Sequence, residues 1–154
     1  MGNIVYNQAL GRAVQFAENI NGNSPANSAF ILEVINSSAT DATLKDLDTF
    51  AAIESDANTA EVGNTNYARK TITDASSLTI TYDDTNDRVD LDIPDQSWTA
   101  VAAGTAWTDI VIGYDADTTG GTDANVIPCT QHDFAVTPDG SDITAQIAVF
   151  FRAS

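Results

Sequence analysis

The sequence predicts a mainly β fold: an antiparallel, jelly-roll-like β-sandwich with one or two short helices in the N-terminal third. One indication is a series of short segments after Arg69 that are rich in Val, Ile, Thr and aromatic residues. A second is the turn sequences that separate them, among them DDTND and TPDGSD. A third is the alternation of apolar and polar residues over 143–151, which places every second side chain on one face. The length of 154 residues predicts one domain (1–154), with its sandwich core in residues 69–154.

The N-terminal third begins with a predicted helix followed by a predicted strand. Apolar residues recur at i, i+3, i+4 and i+7 from Leu10, which indicates a helix over residues 7–20. The Gly- and Pro-containing stretch 21–25 ends that helix. Residues 29–38 form a dense apolar run of strand length.

Residues 40–55 predict one short helix or a pair of turns. Asp41 is placed to cap the helix, and Leu44 and Leu47 fall on one face. The following stretch, residues 56–67, is polar and contains glycine, so it predicts a loop.

Seven strands are predicted after this loop, each bounded by turn residues. They are 69–73, 78–82, 88–93, 97–101, 107–114, 125–131 and 143–151.

Residues 78–93 (LTITYDDTNDRVDLDI) contain five aspartates, which suit either a metal site or the polar face and tip of a hairpin. Strand alternation places Asp90 and Asp92 on the solvent-exposed face of the hairpin. A calcium loop needs Gly at its sixth position and an acid at its twelfth, whereas Arg88 and Pro94 stand there when counting begins at Asp83. The sequence therefore predicts a structural hairpin. Its inward residues would be Leu78, Ile80, Tyr82, Val89, Leu91 and Ile93.

The charge balance excludes two classes of partner. The chain has 22 acidic and 6 basic residues, for a net charge of −16. Binding to nucleic acid or to an anionic membrane requires clustered Lys and Arg, so we expect neither partner.

The loop 115–126 (DADTTGGTDANV) is closer to a calcium loop. Asp115, Asp117 and Asp123 stand at its positions 1, 3 and 9, but Val126 replaces the bidentate Glu at position 12. We therefore predict a Gly-rich connection without a metal or cofactor, and these three aspartates are the candidate ligands if a cation does bind.

No catalytic residue is predicted, and the protein is not expected to be an enzyme. Cys129, His132 and Asp133 lie close together in the sequence, as a nucleophile, a base and an orienting group would. On a regular strand, however, Cys129 and His132 point to opposite faces. We predict that Cys129 lies in the core and that His132 lies in a loop or at an edge.

Two tryptophans on neighbouring predicted strands are interpreted as core anchors, because aromatic residues dominate sheet cores. The alternative is a carbohydrate-binding or adhesive module, in which Trp98, Trp107 or Tyr114 would lie on the surface and stack on sugar rings.

Several segments together resemble a family of small structural proteins of tailed bacteriophages. They cover most of the chain in the family's order. They are YNQALGRA, AFILEVINSS, the D-x-F-x-x-I stretch at 48–53, VGNTNYARKTI, LTITYDDTNDRVDLD, SWTAVAAGTAWTDIVIGYD and ITAQIAVFF.

The resemblance implies a head decoration (cement) protein that binds the major capsid protein on the capsid exterior, as a dimer or trimer. Such a protein would be assembled in the host cytoplasm; a neck or tail position is the alternative. Residues 1–10 would then be an N-terminal docking arm, or would simply pack on the sandwich. The candidate docking residues are Ile4, Val5, Tyr6 and Leu10.

Overall fold

A computed structural model describes residues 2–73 and 78–154, so Met1 of the predicted docking arm lies outside the described residues. The protein is mainly β, with antiparallel sheets packed as a sandwich and a few short helices, as predicted. The strands are β1 (Ile4–Val5), β2 (Ala29–Ser37), β3 (Thr59–Glu61), β4 (Lys70–Ile72), β5 (Thr79–Asp83), β6 (Arg88–Asp92), β7 (Gln96–Trp98), β8 (Trp107–Asp115), β9 (Ile127–Val136), β10 (Ile143–Ala145) and β11 (Val149–Ala153). The helices are α1 (Ala13–Asn21), α2 (Asp41–Leu44) and α3 (Phe50–Ser55), and a 3-10 turn covers Asn7–Ala9.

The largest sheet has the strand order β1-β9-β8-β2-β3, and β4 also pairs with β2. Strand β2 pairs with β8 from Ala29 opposite Asp115 to Ile35 opposite Asp109. It reads as a continuous apolar run because both faces of this sheet are covered. The sandwich therefore includes a central strand that precedes Arg69, and the predicted core boundary at residue 69 is wrong.

The second layer consists of a three-stranded sheet, β11-β6-β5, and the two-stranded sheet β10-β7. The main core lies between this layer and the large sheet, and α1 adds Phe16 to it, stacked on Tyr114 with ring centroids 4.3 Å apart. Within the described residues the strands divide six, three and two among the sheets. The arrangement is thus a β-sandwich of two unequal layers.

The other face of the large sheet packs against α2 and α3, through a second core that includes Tyr6, Leu44 and Phe50. A threonine caps the N-terminus of each short helix. The side-chain hydroxyls of Thr40 and Thr49 accept hydrogen bonds from backbone N–H groups three residues later. The predicted cap, Asp41, instead accepts a hydrogen bond from the backbone of Gly2.

Three further boundaries differ from the predictions. The helix predicted over 7–20 is interrupted at Gly11, whose φ of +75° separates the 3-10 turn from α1. The loop predicted over 56–67 contains the edge strand β3, because pairing with β2 overrides its polar composition. The strand predicted over 143–151 divides into β10 and β11, which pair in different sheets, so that Phe150 is more buried than Phe151.

The predicted hairpin is formed by β5 and β6. Leu91 and Ile93 are buried as expected, whereas Tyr82 is 58% exposed at the end of the hairpin. The prediction that Asp90 faces solvent is also wrong, because this residue is only 8% exposed. The cause is β11, which pairs along the other edge of β6 and brings Arg152 over Asp90. Within residues 2–73 and 78–154, no helix is long and apolar enough to cross a membrane.

Candidate functional site

Four carboxylates surround the guanidinium of Arg69, which lies just before β4. Glu33 comes from the centre of β2, Glu54 from α3, Glu61 from β3, and Asp123 from the loop between β8 and β9. We call these five residues the Arg69 cluster. Because Glu33 and Asp123 are far in sequence from the other three, only the folded chain brings the five together.

The hydrogen bonds of Arg69 are divided among three of the four acids. Its Nε donates to Glu61 at 2.8 Å, and its Nη1 donates to Asp123. Its Nη2 donates to Glu54 and, at 2.9 Å, to the second oxygen of Glu61. An Nη group carries two hydrogens, so both hydrogens of Nη2 are used.

Glu33 is the acid that Arg69 leaves without a donor. Its side chain is 1% exposed, and its Oε2 lies 3.0 Å from Nη2, whose hydrogens point to other acids. Neither oxygen of Glu33 has a hydrogen-bond partner among residues 2–73 and 78–154. Burial raises the pKa of Glu33 to about 9, and the attraction of Arg69 offsets only part of that rise. The carboxyl group is therefore protonated at neutral pH.

Tyr67 connects the Arg69 cluster to the main core. Its hydroxyl donates to Glu61 at 2.9 Å and accepts from the backbone N–H of Val34. Its ring packs against Trp98 and Trp107, with centroids 6.4 and 5.6 Å away. Trp98 and Trp107 are buried, as predicted for core anchors. Tyr114 is buried as well, so none of these three rings is available to stack on sugars.

A groove opens between the edges of the two layers, where β1 of the large sheet faces β11 of the small one. It consists of two adjoining cavities of about 230 and about 210 Å³, which share Asn3, His132, Val149 and Phe150. Both strands end their sheets in the strand order, so each presents an unpaired edge. We call this feature the β1–β11 groove.

The four candidate docking residues occupy different environments. Ile4 and Val5 form β1 and are half-buried, while Tyr6 is buried and its hydroxyl donates to Gln131 at 2.9 Å. Leu10 is 61% exposed. Of the two alternatives for this segment, packing on the sandwich describes the first three residues, and Leu10 alone projects from it.

The aspartates of loop 115–126 make different contacts. Asp115 accepts from the backbone of Asp117, and Asp117 accepts from the backbone of Thr119, both at 3.0 Å. Asp123 instead belongs to the Arg69 cluster. Asp115 and Asp117 therefore accept hydrogen bonds from the backbone of their own loop, whereas Asp123 pairs with Arg69.

Cys129 and His132 do not point to opposite faces of the sheet, as regular strand alternation would require. The register between β8 and β9 shifts at Cys129, because Gly113 pairs with Pro128 while Ile112 pairs with Thr130. Such a bulge offsets the alternation, and Cys129 joins the core that contains Ile112. Burial raises the pKa of Cys129 to about 12, so its thiol is protonated at neutral pH.

The sequence did contain a signal for the Arg69 cluster. Glu33 is the one charged residue in the apolar run AFILEVIN, and a charged side chain in a strand buried on both faces requires a compensating partner. What the sequence could not supply was the identity of that partner, since Arg69 pairs with Glu33 only through the packing of β4 beside β2.

Comparisons with protein-family models, with curated proteins and with solved structures found no match to this chain.

Proposed function

We propose that this protein is a structural virion component that binds the outer surface of a tailed-phage capsid and stabilises the lattice of the major capsid protein. The observation that carries this proposal is the β1–β11 groove, a cleft of mixed polar and apolar lining between unpaired strand edges on a strongly acidic molecule. The resemblance of the chain's segments to small phage structural proteins supplies the class of partner.

The groove suits an extended segment of the capsid protein. An incoming strand would hydrogen-bond to the free edge of β1 or β11, which supplies affinity regardless of side chains. Val149, Phe150 and Phe151 line the groove and would receive apolar side chains of the same segment. Val149 is 39% exposed, so it is a large apolar groove residue with surface left to bury on docking.

The net charge of −16 has a role before assembly. Self-repulsion keeps free subunits apart and limits non-specific pairing through the open edges. On the capsid, a dimer or trimer of this protein would contact several capsid subunits at once, and each added contact would raise the avidity.

The test is co-sedimentation of the purified protein with capsids assembled without it. We expect stoichiometric binding, and decorated particles should retain their contents to a higher temperature than bare ones. Bare and decorated particles that release their contents at the same temperature would contradict the stabilising role.

Three matched variants locate the docking surface. Leu10, Tyr82 and Val149 are the large exposed apolar residues within the described ranges, and each can be changed to Lys. Val149→Lys places a charge in the groove and is expected to weaken capsid binding at least about tenfold. Tyr82→Lys, at the far hairpin, is the control and should bind normally. Selective loss of binding in Leu10→Lys would instead assign docking to the N-terminal segment.

A further inference from the structure

The Arg69 cluster holds more negative charge than its one arginine can balance. Four acids lie around a single guanidinium, and the other three still outnumber its charge when Glu33 is protonated. The adjacent Lys70 does not supply a second positive charge, since its Nζ donates to the backbone oxygen of Ser97 and lies over the ring of Trp98. The cluster therefore has room, electrostatically, for another cation.

The geometry of the three glutamates suits a single ion. One carboxylate oxygen from each of Glu33, Glu54 and Glu61 lies within 4.8 Å of the other two. Oxygen ligands of Ca²⁺ lie at about 2.3–2.6 Å from the ion, so two of them are at most about 5 Å apart. The observed spacing therefore falls within the reach of one calcium ion.

The orphaned carboxylate of Glu33 is an independent indication. A buried polar group without a partner destabilises the folded state, and it does so more strongly when it is charged. Glu33 is buried, and neither of its oxygens has a hydrogen-bond partner in the part of the chain that the structure describes. Its Oε2 lies beside Nη2 of Arg69, the group that donates to both Glu54 and Glu61. An oxygen-seeking ion at that point would satisfy all three carboxylates together.

We infer that Glu33, Glu54 and Glu61 form a binding site for a divalent cation of the Ca²⁺ type, which takes the place of Arg69 Nη2 among the three carboxylates. Ca²⁺ fits better than Mg²⁺ because it tolerates irregular coordination, whereas Mg²⁺ demands near-ideal octahedral geometry and gives up its waters reluctantly. The ion can enter from solvent, since Glu54 and Glu61 are partly exposed and a cavity of about 200 Å³ lies beside Arg69. This inference does not depend on the proposed capsid role.

The bound ion would cross-link β2, α3 and β3, and it would compete with Arg69 for the three carboxylates. Removing Arg69 should therefore favour the ion. Replacing the carboxyl group of Glu33, which can give up its proton to a cation, with an amide, which cannot, should disfavour it. This opposite response distinguishes a built site from general attraction of cations to an acidic surface.

The experiment begins with the full chain stripped of metal by a chelator and then dialysed. CaCl₂ and MgCl₂ are titrated separately by calorimetry, and thermal unfolding is followed with and without each ion. We expect one equivalent of Ca²⁺ to bind and to raise Tm, with weaker binding of Mg²⁺. Tb³⁺ provides a local probe, because Tyr67 contacts Glu61 and can sensitise its luminescence.

Matched variants assign the site. Glu33→Gln keeps the shape of the side chain and should lower Ca²⁺ affinity at least about tenfold. Arg69→Gln should be less stable than wild type in chelator and should show a larger rise in Tm with Ca²⁺. Asp139→Asn, an exposed acid-to-amide change in a turn, is the control and should bind as wild type does.

Three results would overturn the inference. The first is the absence of both binding heat and a Tm change when Ca²⁺ is added to the wild-type protein. The second is unchanged Ca²⁺ affinity in Glu33→Gln. The third is loss of binding in Asp117→Asn with normal binding in Glu33→Gln, which would place the ion in loop 115–126.

Discussion

Two clusters of arginine and acidic side chains, both within the described residues, differ in how folding changes the pKa of their buried acid. In the Arg69 cluster, one guanidinium lies among four acids and donates hydrogen bonds to three of them. In the second, which we call the Arg152 cluster, Arg88 lies beside both Asp83 and Asp90, and Arg152 pairs with Asp90. Arg152 donates to both oxygens of Asp90, at 2.6 and 3.1 Å, in the paired arrangement that suits guanidinium and carboxylate.

The two buried acids illustrate the difference. The hydrogen bonds from Arg152 hold the pKa of Asp90 below its usual range, whereas burial raises the pKa of Glu33 although an arginine nitrogen lies 3.0 Å away. Proximity to a positive charge therefore does not decide the protonation of a buried acid in this protein. The supply of donors, set against the loss of water, decides it.

The largest expected effect on stability comes from removing Arg69, the arginine of the Arg69 cluster. Arg69→Gln leaves four acids without their counter-charge, which should lower the free energy of unfolding by about 3 kcal/mol in chelator. Urea denaturation at neutral pH measures it. A loss below about 1 kcal/mol would show that the acids relax into water, and the contrast between the clusters would then disappear.

The next effect is a pH dependence. Because the pKa of Glu33 is about 9 in the folded state and 4.5 is its ordinary value, the folded protein holds a proton that the unfolded chain releases between these values. Stability from this group is complete below about pH 4.5 and falls as pH rises, by at most about 1.4 kcal/mol per pH unit.

The variant Glu33→Gln removes this titration. Thermal unfolding in chelator, from about pH 5 to about pH 8.5, should show a shallower decline of Tm for Glu33→Gln than for wild type. Parallel curves would contradict the raised pKa. Asp139→Asn, which removes a carboxylate from an exposed turn, is the control for the change in net charge.

A smaller effect is expected from Arg152→Gln in the balanced cluster. The pKa of Asp90 is lowered in the folded state, so its contribution is present above its ordinary pKa and is lost as pH falls through the folded value. Arg152→Gln should therefore reduce stability at neutral pH, by less than Arg69→Gln does, and should flatten the acid limb of the curve. An equal loss in both variants would remove the distinction between the clusters.

The smallest effect is predicted for Arg88→Gln. Arg88 Nε lies 3.2 Å from Asp83 and 3.3 Å from Asp90, yet it makes no hydrogen bond to either, and Asp90 keeps both bonds from Arg152. We expect a change in unfolding free energy within about 0.5 kcal/mol, as for exposed ion pairs. A larger loss would show that the second arginine, and not the paired geometry, keeps Asp90 ionised.

The fold followed from the sequence where the local pattern and the tertiary environment agree. The run AFILEVINS and the hairpin of β5 and β6 form where predicted, because continuous burial and strand alternation each leave a direct pattern in the sequence. Local patterns failed at β3 and at residues 143–151. There the pairing partner, β2 for β3 and two different sheets for β10 and β11, determines the structure.

The candidate site was less predictable than the fold. The sequence drew attention to the aspartates of 78–93 and 115–126, because they are dense and closely spaced. The acids that gather around Arg69 are scattered from Glu33 to Asp123, and three of them are the comparatively rare glutamates. Only one, Asp123, belonged to a group singled out from sequence, since spacing along the chain does not report distance across a sheet.

By itself, the sequence determined that this chain is an acidic, mainly β protein with a buried central strand and an aromatic core, because composition and apolar periodicity directly govern which surfaces leave water. Only the tertiary structure decided which carboxylates receive a donor. Asp90 receives two from β11, whereas Glu33 lies beside Nη2 of Arg69, whose two hydrogens already point to Glu54 and Glu61. The physical reason is that hydrogen bonding requires contact, and contact between distant segments is settled only when the sheets pair and pack.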